Sequence, residues 1–245
     1  MAKKKKKTTK KEEKTPLLKR IWRYTYRTIL ILWLLSIISV VVLKYVPIYV
    51  TPLMVLRSCQ SIFDGKTPRN EKKWVPLNEI SPNLTIACVA SEDNLFMSHN
   101  GFSEQAIKQA LIERLEGKRI RGGSTISQQT AKNVFTFCSR TWFRKGIETY
   151  YTILIELIWG KERIMEVYLN IVELGDGIYG AEAASRHYWG SSAKELSKGQ
   201  SALMAAALPN PRNYSIVHPG PYMQKRKKQI LNLMPKMGRI DFFYK

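Results

Sequence analysis

The apolar positions of this chain fall into one unbroken run followed by many segments with helical spacing. Thr28 to Leu43 is a stretch of sixteen residues without a charge, bounded by Arg27 and Lys44. As a helix it rises ~24 Å, short of the ~30 Å hydrocarbon core of a bilayer. Snorkelling of Arg27 and Lys44, and the apolar residues resuming from Val46 to Val50, make up the difference. Trp22, Tyr24, Tyr26 and Trp33 on one side, with Tyr45 and Tyr49 on the other, suit interfacial belts. Beyond it, Ser81-Pro82 opens a helix with Ser at the cap and Pro at the first turn; Leu84, Ala87, Cys88 and Ser91 share one stripe, with Glu92 at its end. Ser103 caps a second helix, stapled by Phe102 and Ile107, with Ala110, Leu111 and Leu115 on its inner stripe and Gly117 at its end. A third runs from Ser124 or Thr125 to about Val134, and a long one from the Arg140 region to about Ile158. Lys161 to Asn170 reads as core, and an Ala-rich segment from Gly180 ends at Trp189-Gly190. Ser197 with Gln200 forms a capping box for a helix to Ala207, and Tyr222 to Met234 closes the chain as a basic amphipathic segment. Period-two alternation is nearly absent, so the expected fold class is mainly α.

Charge adds a second layer. Lys and Arg number 40 against 19 Asp and Glu, a formal charge of +21 over 245 residues. Nucleic acid or anionic lipid could balance such an excess, and its position decides. Much of it lies in MAKKKKKTTKKEEKTPLLKR, beside the apolar run and too poor in large apolar side chains to order itself. The expected organisation is a basic disordered tail (1–26), a transmembrane anchor (27–50), a membrane-proximal linker (51–80) and a catalytic-sized domain (81–245). A cleaved leader is the competing reading, but no small-x-small site follows Lys44. The lysine flank places the N-terminus in the cytoplasm and the domain outside. Membrane lipids, not nucleic acid, are the expected partners of the charge. Of three cysteines, Cys88 falls on an apolar helix face, while a Cys59–Cys138 pair stays open.

Candidate chemistry converges on residues 91–133. Glu92, Asp93 and His99 precede a Gly-Gly turn and then a patch of Ser124, Gln128, Gln129, Lys132 and Asn133. Buried amides and hydroxyls cost free energy unless bonded, so such a patch makes a poor core and a good site wall. Residue by residue a plain reading also holds, with His99 on a loop carbonyl and Ser124 as a cap. Glu92 at the end of a buried helix is the stronger feature, because desolvation raises a carboxyl pKa and suits it to proton transfer. The Lys118–Gly123 loop is either a solvated charged loop or a cover for an anion. Arg144 and Glu148 have the spacing of a simple intrahelical ion pair. Ser191-Ser192-Ala193-Lys194 fits S-x-x-K, but its S-D-N and K-T-G partners are missing from the chain.

The strings E-D-x-x-F-x-x-H-x-G (from Glu92), G-x-S-T-I-x-Q-Q (from Gly122) with Lys132-Asn133, R-K-x-x-E (Arg144 to Glu148) and K-x-x-I-L-E-x-Y-L-N (from Lys161, with Met165 for Leu) resemble the motifs of the family 51 glycosyltransferases, which polymerise peptidoglycan strands. The resemblance spans roughly residues 70–235 and implies a lysozyme-like, two-lobed helical domain with the site in the cleft, in a stand-alone form without a transpeptidase domain. It implies catalytic roles for Glu92, as base toward the 4-hydroxyl of a lipid II acceptor, and for Glu148. It implies a pyrophosphate clamp from Lys132, Arg140 and Lys145, and sugar or phosphate contacts from Asp93, His99, Ser124, Gln128, Gln129, Asn133 and Arg144. Glu148 would orient that clamp or a Mg²⁺ or another divalent cation; no organic cofactor is implied. Lipid II and the growing lipid-linked strand would be the substrates, the plasma (inner) membrane the location, and other cell-wall synthesis proteins further partners. Two rivals stay open: a lysozyme-like hydrolase and a non-enzymatic, tethered basic protein.

Overall fold

A computed structural model describes residues 17–104, 108, 112, 116, 123–137, 141–238, 240 and 242. It divides into two compact units, one ending at Ser39 and one comprising Val40–Lys245. The first is the body of α1, Leu17–Tyr45. The expectation that residues 1–26 are disordered is therefore corrected for 17–26, which are helical: Leu17, Leu18, Ile21 and Trp22 carry helical propensity past the charges. Residues 17–35 are exposed, although most are large and apolar. A helix apolar around its whole circumference requires an apolar solvent, and α1 is long and apolar enough to cross a membrane.

The second unit holds α2 (Pro52–Phe63), α3 (Pro82–Glu92), α4 (Ile126–Phe135), α5 (Trp142–Ile158), α6 (Gly160–Ile171), α7 (Ala181–Trp189), α8 (Lys198–Ala207) and α9 (Pro221–Leu233). A three-stranded sheet accompanies them, in the order β1 (Glu71–Lys72), β3 (Ile178–Tyr179), β2 (Glu173–Gly175). β1 runs parallel to β3 and β2 antiparallel to it. The sequence showed no sign of this sheet, because strands of two or three residues are too short to display an alternation.

α3 is the axis of the core. The single stripe expected for it understates its burial: Leu84, Thr85, Ala87, Cys88, Val89 and Ala90 are all buried, around the whole helix. α8 packs against it with Ala202, Ala205 and Ala206, whose small side chains let the backbones approach closely, and α9 covers the other side. Ser81 holds the cap position, yet its hydroxyl donates to Leu196 O at 2.8 Å instead of to its own helix. α6 behaves as expected of core, with Ile164, Met165, Val167, Tyr168, Leu169 and Ile171 buried. The capping boxes at Thr125–Gln128 and Ser197–Gln200 start α4 and α8. At the end of α1, Trp159 Nε1 donates to Val40 O (2.7 Å), and Arg163 donates to Leu43 O (2.8 Å) and Val46 O (2.6 Å). The bond to Leu43 O satisfies one of the carbonyls that the helix terminus leaves open. The expected second helix rests on Ile107, Ala110, Leu111, Leu115 and Gly117, which lie outside the described residues, as do Cys138, Arg140 and loop 118–122. Cys59 is exposed and Cys88 buried, both as free thiols.

Candidate active site

α3 ends by delivering two adjacent carboxylates to different tasks. Asp93, the C-cap, has a side chain only 3% exposed. Its oxygens accept from His99 Nε2 at 2.9 and 3.0 Å, and Oδ2 also accepts from Ile126 N at 3.0 Å. The negative charge thus sits on the first free N–H of α4, where a helix terminus favours an anion. His99 Nδ1 accepts from Gly101 N at 3.1 Å, which leaves the proton on Nε2 facing Asp93. His99 therefore bonds a carboxylate and not the loop carbonyl of the plain reading. Gly101 has φ +90°, and a Cβ there would lie 2.8 Å from Thr152 Cγ2. Thr125 Oγ1 donates to Gly101 O at 2.7 Å. Asp93, His99, Gly101 and Thr125 together bind the end of α3, the loop after it and the start of α4 into one rigid corner.

Glu92 is free of that scaffolding. Its Oε2 accepts a hydrogen bond from Gln129 Nε2 at 3.0 Å. Burial raises its pKa above the ordinary carboxylate value, and Asp93 reinforces this. The Gln129 bond and the charges of Arg226 and Lys132 act against the rise. Behind it lie Cys88 and Tyr168, buried groups whose own ionisation is suppressed by desolvation and by the Glu92 charge. A carboxyl with an apolar back, one neutral donor and cations nearby is poised to exchange a proton.

The polar patch divides in the same way. Gln128 Oε1 accepts from Thr125 N at 3.0 Å, so its oxygen completes the cap of α4 and is not open to a sugar. Gln129 reaches Glu92 instead, Lys132 is exposed, Ser124 is half-buried and Asn133 is buried. Two features escaped the sequence reading. Arg226 of α9, whose Nη2 donates to Ser91 O at 3.0 Å, brings a guanidinium to the end of α3 from 135 positions away. Its one legible trace was an Arg among lysines on an amphipathic segment. Glu156 of α5 accepts from Ser127 Oγ (2.5 Å) and Lys161 Nζ (2.7 Å), while Lys161 lies 4.6 Å from the centre of the Phe96 ring. That buried network ties α4, α5 and α6 to the loop carrying His99.

Glu148 lies in the second turn of α5, with a side chain 3% exposed. Arg144 Nη1 donates to its Oε2 at 2.5 Å, and Lys145 Nζ donates to Oε1. The expected ion pair is present, with a second cation added. Arg140, the third expected member of the clamp, lies outside the described residues. With both oxygens facing side-chain cations, the Glu148 carboxylate as folded does not fit a divalent metal. Among the described residues, no three His, Cys, Asp or Glu side chains come together as a metal site. Ser191 lies 3.5 Å from Ser185 Oγ, and Lys194 pairs with Glu79 at 3.0 Å, so the S-x-x-K pair is dispersed into local contacts.

Comparison with known proteins places these residues in context. Residues 60–235 match the transglycosylase family. The chain is 49% identical over 227 residues to a biosynthetic peptidoglycan transglycosylase of Bacteroides thetaiotaomicron, covering 91% of this chain and 92% of the relative. It is 48% identical over 210 residues to a protein of the same description from Bdellovibrio bacteriovorus (86% and 84% covered). A further one from Shewanella oneidensis is 45% identical over 224 residues (91% and 94% covered). The mainly helical domain is the lysozyme-like fold of that family. With its acidic corner, its half-desolvated glutamate and its cations on one scaffold, the chain belongs to the transglycosylase family.

Proposed function

We propose that the protein is a peptidoglycan glycosyltransferase that polymerises lipid II, with Glu92 as its general base. The observation that carries this is the environment of Glu92: a carboxyl whose pKa is raised by burial, held by the neutral amide of Gln129, with Lys132 and Arg226 acting on it only through their charge. In the reaction, the 4-hydroxyl of the acceptor sugar loses its proton to Glu92 as its oxygen attacks the donor's anomeric carbon. The bond from that carbon to the lipid diphosphate breaks on the opposite face, so the α-linked centre becomes a β-1,4 linkage. The departing diphosphate carries away the electron pair and develops charge, which fixed cations stabilise. Lys132, Lys145 and Arg140 take that role, and Glu148 holds Arg144 and Lys145 in place through its two ion pairs. With both oxygens held by Arg144 and Lys145, Glu148 acts on the clamp and not on a metal. A hydrolase of the lysozyme class needs paired carboxylates but has no leaving diphosphate for Lys132 and Lys145 to meet.

The apolar helix α1 supports membrane anchoring. The lysine-rich start supports a cytoplasmic N-terminus with the domain on the outer face of the plasma membrane, where lipid II and the growing strand are its substrates. Purified full-length protein incubated with lipid II tests the function. The expected product is a ladder of long glycan strands, lost in Glu92→Gln. A parental product ladder from Glu92→Gln removes Glu92 as base, and turnover of pre-made peptidoglycan without polymerisation removes the transferase reading.

A further inference from the structure

Apart from the catalytic corner, a cleft of about 340 Å³ opens at the end of α2. Its walls include Arg57, Gln60 and Phe63 of α2, Lys66 and Arg69 of the following loop, and Arg212. Four cations thus meet two acids, Asp64 and Asp176, on its lining. Arg212 is paired with Asp176 at 2.8 Å, and Arg69 Nε with Glu71 at 2.8 Å. Lys66 is exposed and has no acidic partner among the described residues.

Arg57 is the telling member. Its Nε is buried without a hydrogen-bond partner, and the nearest carboxylate oxygen, Glu173 Oε2, stands 3.7 Å away. Glu173 Oε1 and the Tyr179 hydroxyl beside it are also buried and unpartnered. Buried polar groups are nearly always satisfied, so three orphans in one place mark a network the protein alone does not complete. Arg57 Nη1 donates to Gln60 Oε1 at 3.2 Å, and its charge faces Glu173 Oε2 only at 3.7 Å, a carboxyl whose pKa burial raises. The far wall is rigid: Gly177 has φ +70°, and a Cβ there would lie 2.4 Å from Arg69 O, so the hairpin is closed directly onto the Arg69 backbone. At the rim, Ile62 and Phe63 are 61% and 89% exposed. A cationic recess edged by bare apolar side chains matches a phosphate joined to an acyl chain, and not a free anion.

We propose that this cleft binds the phosphate headgroup of an anionic glycerophospholipid, with Arg57 and Lys66 as its principal contacts and Ile62 and Phe63 against the acyl region. The inference is independent of the catalytic assignment. It is tested on the full chain in nanodiscs of phosphatidylcholine alone or mixed equally with phosphatidylglycerol, by backbone amide exchange. Phosphatidylglycerol should slow exchange in residues 57–69 and 173–179 by about tenfold, the worth of a charge-assisted hydrogen bond, and leave the basic face of α9 nearly unchanged. Lys66→Gln, an exposed change that spares the fold, should reduce this protection while leaving polymerisation in phosphatidylcholine discs at the parental rate. Arg57→Gln should abolish it. Equal exchange in both discs overturns the proposal. So does protection spread evenly over α9, or protection that persists undiminished in both variants. Equal protection by inorganic phosphate in phosphatidylcholine discs assigns the cleft to a soluble anion and overturns the lipid source.

Discussion

Glu92 and Glu148 are the same residue on two helices of one domain, and their surroundings give them opposite properties. Glu92 closes α3, a helix with buried residues on every side, and receives its hydrogen bond from an uncharged amide. Desolvation therefore outweighs its favourable interactions, and its pKa rises. Glu148 is the more deeply buried side chain, at 3%, yet each oxygen is met by a cation one helical turn away. Burial alone thus does not make a base. What matters is whether the charge that burial penalises is matched at contact distance. Glu92 can accept a proton because desolvation outweighs its partners, and Glu148 is a strut that holds Arg144 and Lys145.

The comparison can be broken most forcefully at Glu92. Glu92→Gln preserves shape and the contact with Gln129 but removes the proton acceptor, so the polymerisation rate should fall by about 10²- to 10⁴-fold. Its melting temperature should hold or rise. A carboxyl with a raised folded pKa is most favourable to the fold when neutral, below its unfolded pKa, and that contribution is lost as pH rises through the folded value. The stability difference between Glu92→Gln and the parent should therefore widen in favour of the variant as pH rises across that window. A cooperative loss of structure would contradict the assignment. Next comes Lys132→Ala, which removes an exposed cation that also acts on Glu92. It should cost about 10²-fold in rate, the scale of one preorganised donor, with little change in thermal unfolding.

Glu148→Gln should differ in kind from Glu92→Gln. It removes the carboxylate shared by Arg144 and Lys145, whose side chains are 19% and 38% exposed. The expected loss is about 2 kcal/mol of stability, below the range for wholly buried pairs because water reaches both cations. Denaturant unfolding measures it; an unchanged midpoint would mean the pairs contribute nothing. Gln129→Leu sharpens the contrast more gently. Its hydrogen bond lowers the Glu92 pKa, so its loss should move the acid limb of the pH–rate profile upward. A downward or absent shift would assign that limb to another group. The smallest effect belongs to Ser191→Ala, expected to leave polymerisation and thermal stability at parental levels, because the Ser191 hydroxyl makes only a long 3.5 Å contact with Ser185 Oγ among the described residues.

Part of this is legible in the sequence, and the reasons are physical. The capping box at Ser197, a helix start at Ser124 or Thr125, the span of α6 and the polarity of the 91–133 stretch are local: each depends on residues within a turn or two of one another. The glutamate at the end of a buried segment was legible for the same reason. Illegible were features that unite distant segments. Arg226 reaches Ser91 O from 135 positions along the chain, and Glu156 gathers Ser127 and Lys161. The sheet pairs Glu71 with Ile178 through strands too short to signal themselves. Gln128 and Gln129 illustrate the divide. Adjacent in sequence and identical in chemistry, they were indistinguishable as candidates.

The amino-acid sequence by itself determined the membrane-length helix, the helical class of the domain, the family and the acidic, amide-rich and cationic groups available to a site. These follow from composition and short-range spacing, which survive without knowledge of what packs on what. Only the tertiary structure decided which groups are spent and which are free. Gln128 is used in a cap, Asp93 in a corner and Glu148 in a double ion pair, and Glu92 is left desolvated with its proton affinity raised. Desolvation and contact-range charge depend on neighbours brought together across the fold, so no reading of one segment at a time can tell that Glu92 is left desolvated.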